Sequence, residues 1–242
     1  MPKLQPHQGM QKYISMPIAS TYVQGKAALQ SACAQEENQN HPVYVLANGT
    51  RIYRPLTFRE NLTARVEDFN TLKDVRGRKR TLQDRLHIFD TYLDSCTSVA
   101  YKAKSTLFTI IPQDTELITL PKNFAQPFLQ AEYPSHATTL DSTKGKYNCD
   151  LTEGQVLDHD AWLMAAEGDR VLLQEVANIT FTESERRYGK ETNMGFYVQN
   201  NPPVDVRRAL FVRYLGNYSS ANGVNSLSNC GSFLRVAPSQ KG

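Results

Sequence analysis

The stretch VRYLGNYSSANGVNSLSNCGSFLRV, residues 212–236, limits the folds open to this chain more than any other. Of the seventeen positions from Gly216 to Ser232, twelve are Gly, Ser or Asn and none is charged. Yet Leu215, Ala221, Leu227 and Phe233 recur every six residues through it. Long structureless loops are uncommon inside compact domains, and an evenly spaced apolar series argues for anchors that hold the backbone down. On this reading Leu215, Gly216, Ala221, Gly223, Leu227, Gly231 and Phe233 are framework. The displayed positions are Arg213, Tyr214, Asn217, Tyr218, Ser220 and Asn222, then Val224, Asn225, Ser226, Ser228, Asn229 and Cys230. Gly and Asn tolerate unusual backbone angles. Ser and Asn hydrogen-bond adaptably and Tyr offers rigid area with a polar tip, which is the vocabulary of antibody binding loops. The plainer reading is a long Gly/Asn-rich hairpin loop of no special purpose.

The rest of the chain predicts an α+β body. Residues 1–40 read as a polar N-terminal arm with a short helical pattern in ASTYVQGKAALQSACAQ, and residues 41–242 as a single domain whose part from 190 to 242 binds ligand. The arm has two uses open to it: packing on the body, or packing on a neighbouring subunit to make a homo-oligomer. Val43, Val45, Ile52 and Leu56 around Asn48-Gly49 predict a hairpin. Thr57 and Glu60 form a capping-box signature ahead of a helix burying Phe58, Leu62, Val66 and Phe69. A second helix is expected over 81–96, with the stripe Leu82, Leu86, Phe89, Leu93. Strands follow over VAYKAKSTLFTIIP and TELITLP, then a polar loop over 130–150. Two short helices begin at Thr152 and Asp160, with Asp160 as a cap and Trp162 in the core. RVLLQEVANITF fits helix or strand equally, TESERRYGKETN reads as a charged loop, and the final strands are 194–200, 207–215 and 232–238.

Catalytic signatures are absent. There is no phosphate-binding Gly-rich loop, HExxH, GxSxG or EF-hand loop. The four cysteines, Cys33, Cys96, Cys149 and Cys230, are scattered and read as free thiols, and His87 and the Asp158-His159-Asp160 run lack metal-ligand spacing. No metal, cofactor or catalytic residue is expected. The net charge of +3 is too small to argue for nucleic acid. The run Arg76, Arg78, Lys79, Arg80 reads as a solvated loop and first helical turn, with a phosphate-binding patch as its functional alternative. With neither a signal peptide nor a membrane span, the chain reads as cytoplasmic or carried on a phage particle.

The terminal ALFVRYLG…GSFLRVAP resembles the end of the variable proteins made by diversity-generating retroelements. In that family a mutagenesis system rewrites chosen codons near the 3′ end of the gene, and the product carries a C-type-lectin-like fold ending in R-A-x-x-R-x-G…G-F-R. Arg208, Ala209, Arg213 and Gly216 occupy the first part here, and Gly231, Phe233 and Arg235 the last. The match covers roughly the last thirty to fifty residues, departing where Tyr-Leu-Gly replaces the usual Gly-Gly turn and Gly-Ser-Phe-Leu-Arg replaces Gly-Phe-Arg. The rewritten AAC or AAT codon yields Asn, Ser, Tyr, Arg, Val or Cys among others, but never Lys, Glu, Gln, Met or Trp. All twelve displayed residues belong to the permitted set. The resemblance implies an α+β, C-type-lectin-like fold whose variable region is supported by short antiparallel strands. It also implies a diversified binding protein rather than an enzyme, recognising a macromolecule, protein rather than glycan, because the calcium-dependent sugar motifs Glu-Pro-Asn and Trp-Asn-Asp are missing. The alternative reading is a structural or assembly protein of a phage particle with no variable site.

Overall fold

All nine residues of the strand from Leu93 to Tyr101 are buried, although Asp94, Ser95, Thr97 and Ser98 are polar. A strand covered on both faces need not alternate, and this one is the centre around which the chain is built. The computed structural model describes residues 13–16, 19, 21–35, 43–45, 51–74, 76–120, 139–216, 219–225, 227 and 232–236. In chain order its elements are β1 (Tyr13–Ser15), α1 (Tyr22–Gln35), β2 (Tyr44–Val45), β3 (Arg51–Ile52), α2 (Phe58–Asn70), α3 (Leu82–Leu86), β4 (Leu93–Tyr101), β5 (Leu107–Ile111), α4 (Thr115–Thr119) and β6 (Thr139–Asp141). There follow α5 (Glu153–Leu157), α6 (Asp160–Ala165), α7 (Arg170–Tyr188), β7 (Phe196–Tyr197), β8 (Val206–Val212), β9 (Ala221–Asn222) and β10 (Leu234–Val236).

Six strands form one mixed sheet in the order β6-β5-β4-β8-β9-β7, antiparallel throughout except for the parallel β7–β9 pair. Between Asp94 and Ser98 the β4–β8 register shifts. Side chains replace the missing ladder bonds there: Ser95 Oγ donates to Leu210 O, Thr97 Oγ to Pro112 O, and Thr97 Oγ accepts from Phe58 N. The polar residues of the buried strand are therefore satisfied at the bulge, as buried polar groups must be. Opposite the sheet, Trp162 packs against Phe58 and Phe196 with centroids 5.6 and 5.8 Å away, and its Nε1 donates to Met194 O.

The described part of the expected arm packs on the body. β1 pairs antiparallel with β10, and α1 buries Tyr22, Val23, Leu29 and Cys33 in the main core. β2 and β3 pair as a hairpin, whose Asn48-Gly49 turn lies outside the described residues. The Thr57–Glu60 capping box is formed, and Phe58, Leu62 and Val66 are buried.

Three expectations are corrected. The helix expected over 81–96 stops at Leu86, and Leu93 to Cys96 belong to β4. The 3.6-residue stripe is real for Leu86 and Phe89, but the β-prone TSVAY that follows draws the chain into the sheet, a tertiary override of local periodicity. TELIT is helical instead of extended, because Asp114 accepts hydrogen bonds from Glu116 N and Leu117 N as an N-cap. The supposed charged loop TESERRY is the end of α7, which runs to a left-handed Gly189 at φ +62. In addition, α6 is capped by His159 rather than Asp160, with no side-chain cap bond.

Candidate functional site: the C-terminal display surface

The described residues between Arg213 and Ser232 are held at intervals by groups from elsewhere in the chain. Arg213 N donates to Ser220 O at 2.9 Å, closing the connection between β8 and β9, and Leu215 N donates to Phe89 O at 2.6 Å. Beneath this connection lies Asn193, which is fully buried. Its Oδ1 accepts from Ser219 N at 2.5 Å and Met194 N at 2.8 Å; its Nδ2 donates to Gly216 O at 3.2 Å and Ser184 Oγ at 2.9 Å. Arg65, buried on α2, donates to Thr91 O and Arg213 O at 2.7 and 3.0 Å. Burial pushes its guanidinium down to about 9.

β9 enters the sheet beside β7, with Ala221 N on Gly195 O and Gly223 N on Tyr197 O, both at 3.0 Å. Gly223 packs its backbone against side chains of β4. Tyr101 Oη donates to Gly223 O at 2.9 Å, and a Cβ added at Gly223 would sit 2.7 Å from Val99 Cγ2. At Gly216 a Cβ would meet Tyr214 Cε2 at 2.6 Å, a contact that the half-exposed Tyr214 ring can relieve by turning away. Further on, Tyr22 N donates to Leu227 O, and the Tyr22 and Phe233 rings meet edge-on at 5.2 Å. The Asp94 carboxylate accepts from Ser232 N at 2.8 Å while Asp94 N donates to Ser232 O at 2.7 Å. Burial raises the Asp94 carboxyl to about 8, against the pull of the Ser232 N–H.

The framework residues that fall among the described ones are buried: Leu215, Gly216, Ala221, Gly223, Leu227 and Phe233. Of the displayed residues, Tyr214 is 50% exposed and Val224 38%, while Arg213, Asn222 and Asn225 are half-buried. Asn222 Oδ1 accepts from Val224 N at 2.9 Å, so this side chain also shapes the turn after β9. Ser220 corrects the sequence reading. It is fully buried, beside the equally buried Ala221, and its carbonyl accepts from Arg213 N. Asn217, Tyr218, Ser226, Ser228, Asn229 and Cys230 lie outside the described residues.

Sequence reasoning missed the groups that hold the segment. Asn193, Arg65, Asp94 and Tyr101 lie 23 to 148 residues away from their partners in it, and no local motif marks them. It also missed the neighbours of the surface. Tyr197 on β7 donates to Asp150 Oδ1 at 3.4 Å, and its phenol is raised by burial and by Asp150 and Cys149, with Arg213 close enough to oppose them. Tyr197 and Asp150 thus lie together beside the segment.

The titratable groups considered from sequence have structural settings. Cys96 is buried with its thiol pushed up to about 12 by burial, which suits no nucleophile. His159 lies between the Tyr147 and Phe196 rings, bonded through Nε2 to Lys146 O, while Asp158 points outward toward Arg170. Among the described residues no three His, Cys, Asp or Glu side chains could hold a metal ion, and no helix is long and apolar enough to cross a membrane. A pocket of about 510 Å³ near Lys144, Tyr147, Gln155 and His159 contributes no residue to the display surface.

No family model matches the chain, and no curated protein matches it significantly. A solved structure does. It was reported as showing accommodation of massive sequence variation in Nanoarchaeota by the C-type lectin fold, and it superposes with a TM-score of 0.56 over 93% of this chain and 98% of its own, at 13% identity. At 93% coverage the likeness extends well beyond the terminal strands into the body, where no motif pointed to it. With its α+β layering and mixed six-stranded sheet, the chain has the C-type lectin fold.

Proposed function

We propose that this protein is a diversified binding protein, not an enzyme, that recognises a macromolecular ligand through the surface running from Arg213 to Cys230. The ligand is a protein rather than a glycan, since the segment offers Tyr and Asn side chains and no calcium-dependent sugar motif. One observation carries the reading: in a single segment, residues anchored in the core alternate with exposed or half-exposed ones. Leu215, Ala221, Leu227 and Phe233 are at most 2% exposed, while Tyr214 and Val224 stand out. Buried anchors keep the backbone in place whatever the outward side chains are, so recognition carries little ordering cost. The similarity to a lectin-fold protein that accommodates massive sequence variation supports the same reading.

The test is deep sequencing of the 3′ end of this gene from a natural population, together with a search of the flanking DNA for a reverse transcriptase and a near-copy of the repeat coding for 207–237. Substitutions confined to outward positions, with the anchors fixed, are expected. Substitutions scattered equally over anchors and outward positions, or none at all, would leave a static structural domain.

A further inference from the structure

The charge of this chain is concentrated in one place. Between Leu72 and Arg85 lie six Lys or Arg and two Asp, a net +4, against +3 for all 242 residues, so the remainder is net −1. Leu72 to Arg80, which carry this net charge, form a tight hairpin between α2 and α3. Arg80 N donates to Leu72 O at 2.9 Å, Lys73 and Lys79 face each other across an antiparallel bridge, and Gly77 turns the tip at φ +77. Asp74 organises the turn: Oδ1 accepts from Arg76 N and Arg78 N, and Oδ2 from Arg78 Nε, all at 2.9 Å.

At the root, Arg80 corrects the reading of a uniformly displayed basic run. It is buried, with Nη2 on Asp68 Oδ2 at 2.7 Å and Nη1 on Asp68 O and Thr71 O at 2.7 and 3.2 Å. The hairpin is therefore held by its own bonds, with Lys73, Arg76, Arg78 and Lys79 all exposed. Like charges placed directly opposite each other on paired strands are destabilising. The Lys73–Lys79 pair retains that arrangement in a hairpin that is otherwise fully braced, and a bound anion would relieve it.

We propose that this hairpin docks on the phosphate-bearing surface of an anionic lipid bilayer. Two features favour a bilayer over a nucleic acid. Leu72 and Leu82, flanking the hairpin, are 61% and 41% exposed and can enter the boundary between headgroups and acyl chains. The run from Leu72 to Leu82 has no aromatic ring on which a base could stack. The hairpin is also coupled to the display surface. Asp68, which holds Arg80, lies three residues from Arg65, which holds Arg213 O, a separation of about 4.5 Å along α2. Docking the hairpin would fix the display surface relative to the membrane. This inference does not depend on whether the display surface is diversified.

The experiment is co-sedimentation of the full chain with phosphatidylcholine vesicles, with and without phosphatidylglycerol, over a salt series. Each cation near an anionic bilayer strengthens partitioning by about fivefold. Binding to the anionic vesicles alone is expected, with a loss of about 100-fold in a K73Q/R76Q/K79Q variant and a smaller, salt-independent loss in L72S/L82S. All five side chains are exposed, and an unchanged circular dichroism spectrum confirms folding of both variants. Equal binding to neutral vesicles, or none to anionic ones, overturns the proposal. So does an L72S/L82S variant that binds normally while the parent chain binds duplex DNA more tightly than vesicles, which assigns the hairpin to nucleic acid.

Discussion

Asn193 and Ser219 are joined by a hydrogen bond of 2.5 Å that ties the loop after α7 to the connection between β8 and β9. The same side chain also reaches Gly216 O, Ser184 Oγ and Met194 N, so all four of its hydrogen-bonding positions are used. If the outward side chains change as proposed, the segment needs support that does not come from those side chains. Asn193 provides it by gripping backbone at both Gly216 and Ser219.

Replacing Asn193 with Ala leaves several buried groups without partners, each costing about 1–3 kcal/mol. We expect Asn193→Ala to lower unfolding stability by about 3–5 kcal/mol, at the upper end for single substitutions. Amide exchange should accelerate most at Leu215, Gly216 and Ser219. Urea unfolding and hydrogen exchange by mass spectrometry check this, and a loss below about 1 kcal/mol would mean that the loop is held by other means.

Gly223 sits where a methyl group cannot. With Val99 Cγ2 at 2.7 Å and Tyr101 Oη at 3.0 Å from the position of a Cβ, Gly223→Ala should cost about 1–3 kcal/mol by overpacking. Tyr101→Phe removes the donor to Gly223 O and should cost about 1–2 kcal/mol. The two changes share a contact, so their effects should not add. A double-mutant cycle with a coupling energy near zero would contradict the contact.

Asp94 makes stability depend on pH. Its buried carboxyl titrates near 8, whereas an unfolded chain's titrates near the ordinary value of about 3.9. Between these values the folded state binds more protons than the unfolded one, so this group's contribution falls as pH rises, by up to about 1.4 kcal/mol per unit. It is fully present below the unfolded pKa and is lost as pH passes the folded one. Asp94→Asn should therefore gain on the parent chain steadily from pH 5 to pH 8. Denaturant melts at each pH test the sign; a difference between the two that stays flat would show that Asp94 is ionised throughout.

Much of the helical layer could be read from sequence because its signals are local. Thr57 with Glu60, and Thr152 with Gln155, form capping boxes that need no knowledge of the fold. The six-residue spacing of Leu215, Ala221, Leu227 and Phe233 also survives as buried anchors. What failed depends on distant partners. Leu93 follows a helical stripe, yet it pairs with Val212, and that pairing decides its conformation. TELITLP reads as a strand until the Asp114 carboxylate is seen capping Glu116 and Leu117. The groups supporting the display surface were invisible because their role exists only across long separations, as with Arg65 and Arg213, 148 residues apart.

Ser220 separates the chemistry of a codon from the space available to its product. It is a permitted residue by sequence, but its side chain is fully buried and its Oγ has no partner among the described residues. Ser220→Ala should be neutral or slightly stabilising, since it removes a buried hydroxyl without a bond. Ser220→Tyr should cost about 1–3 kcal/mol or more by overpacking. Tyr214→Ala and Val224→Arg, at exposed positions, should stay within about 0.5 kcal/mol of the parent chain. Thermal melts of the four variants give the comparison directly. In natural copies of the gene, position 220 should hold small residues while 214 and 224 change freely. Large side chains at 220 in folded variants would mean that the connection from Arg213 to Ser220 repacks, and that burial does not restrict which positions can vary.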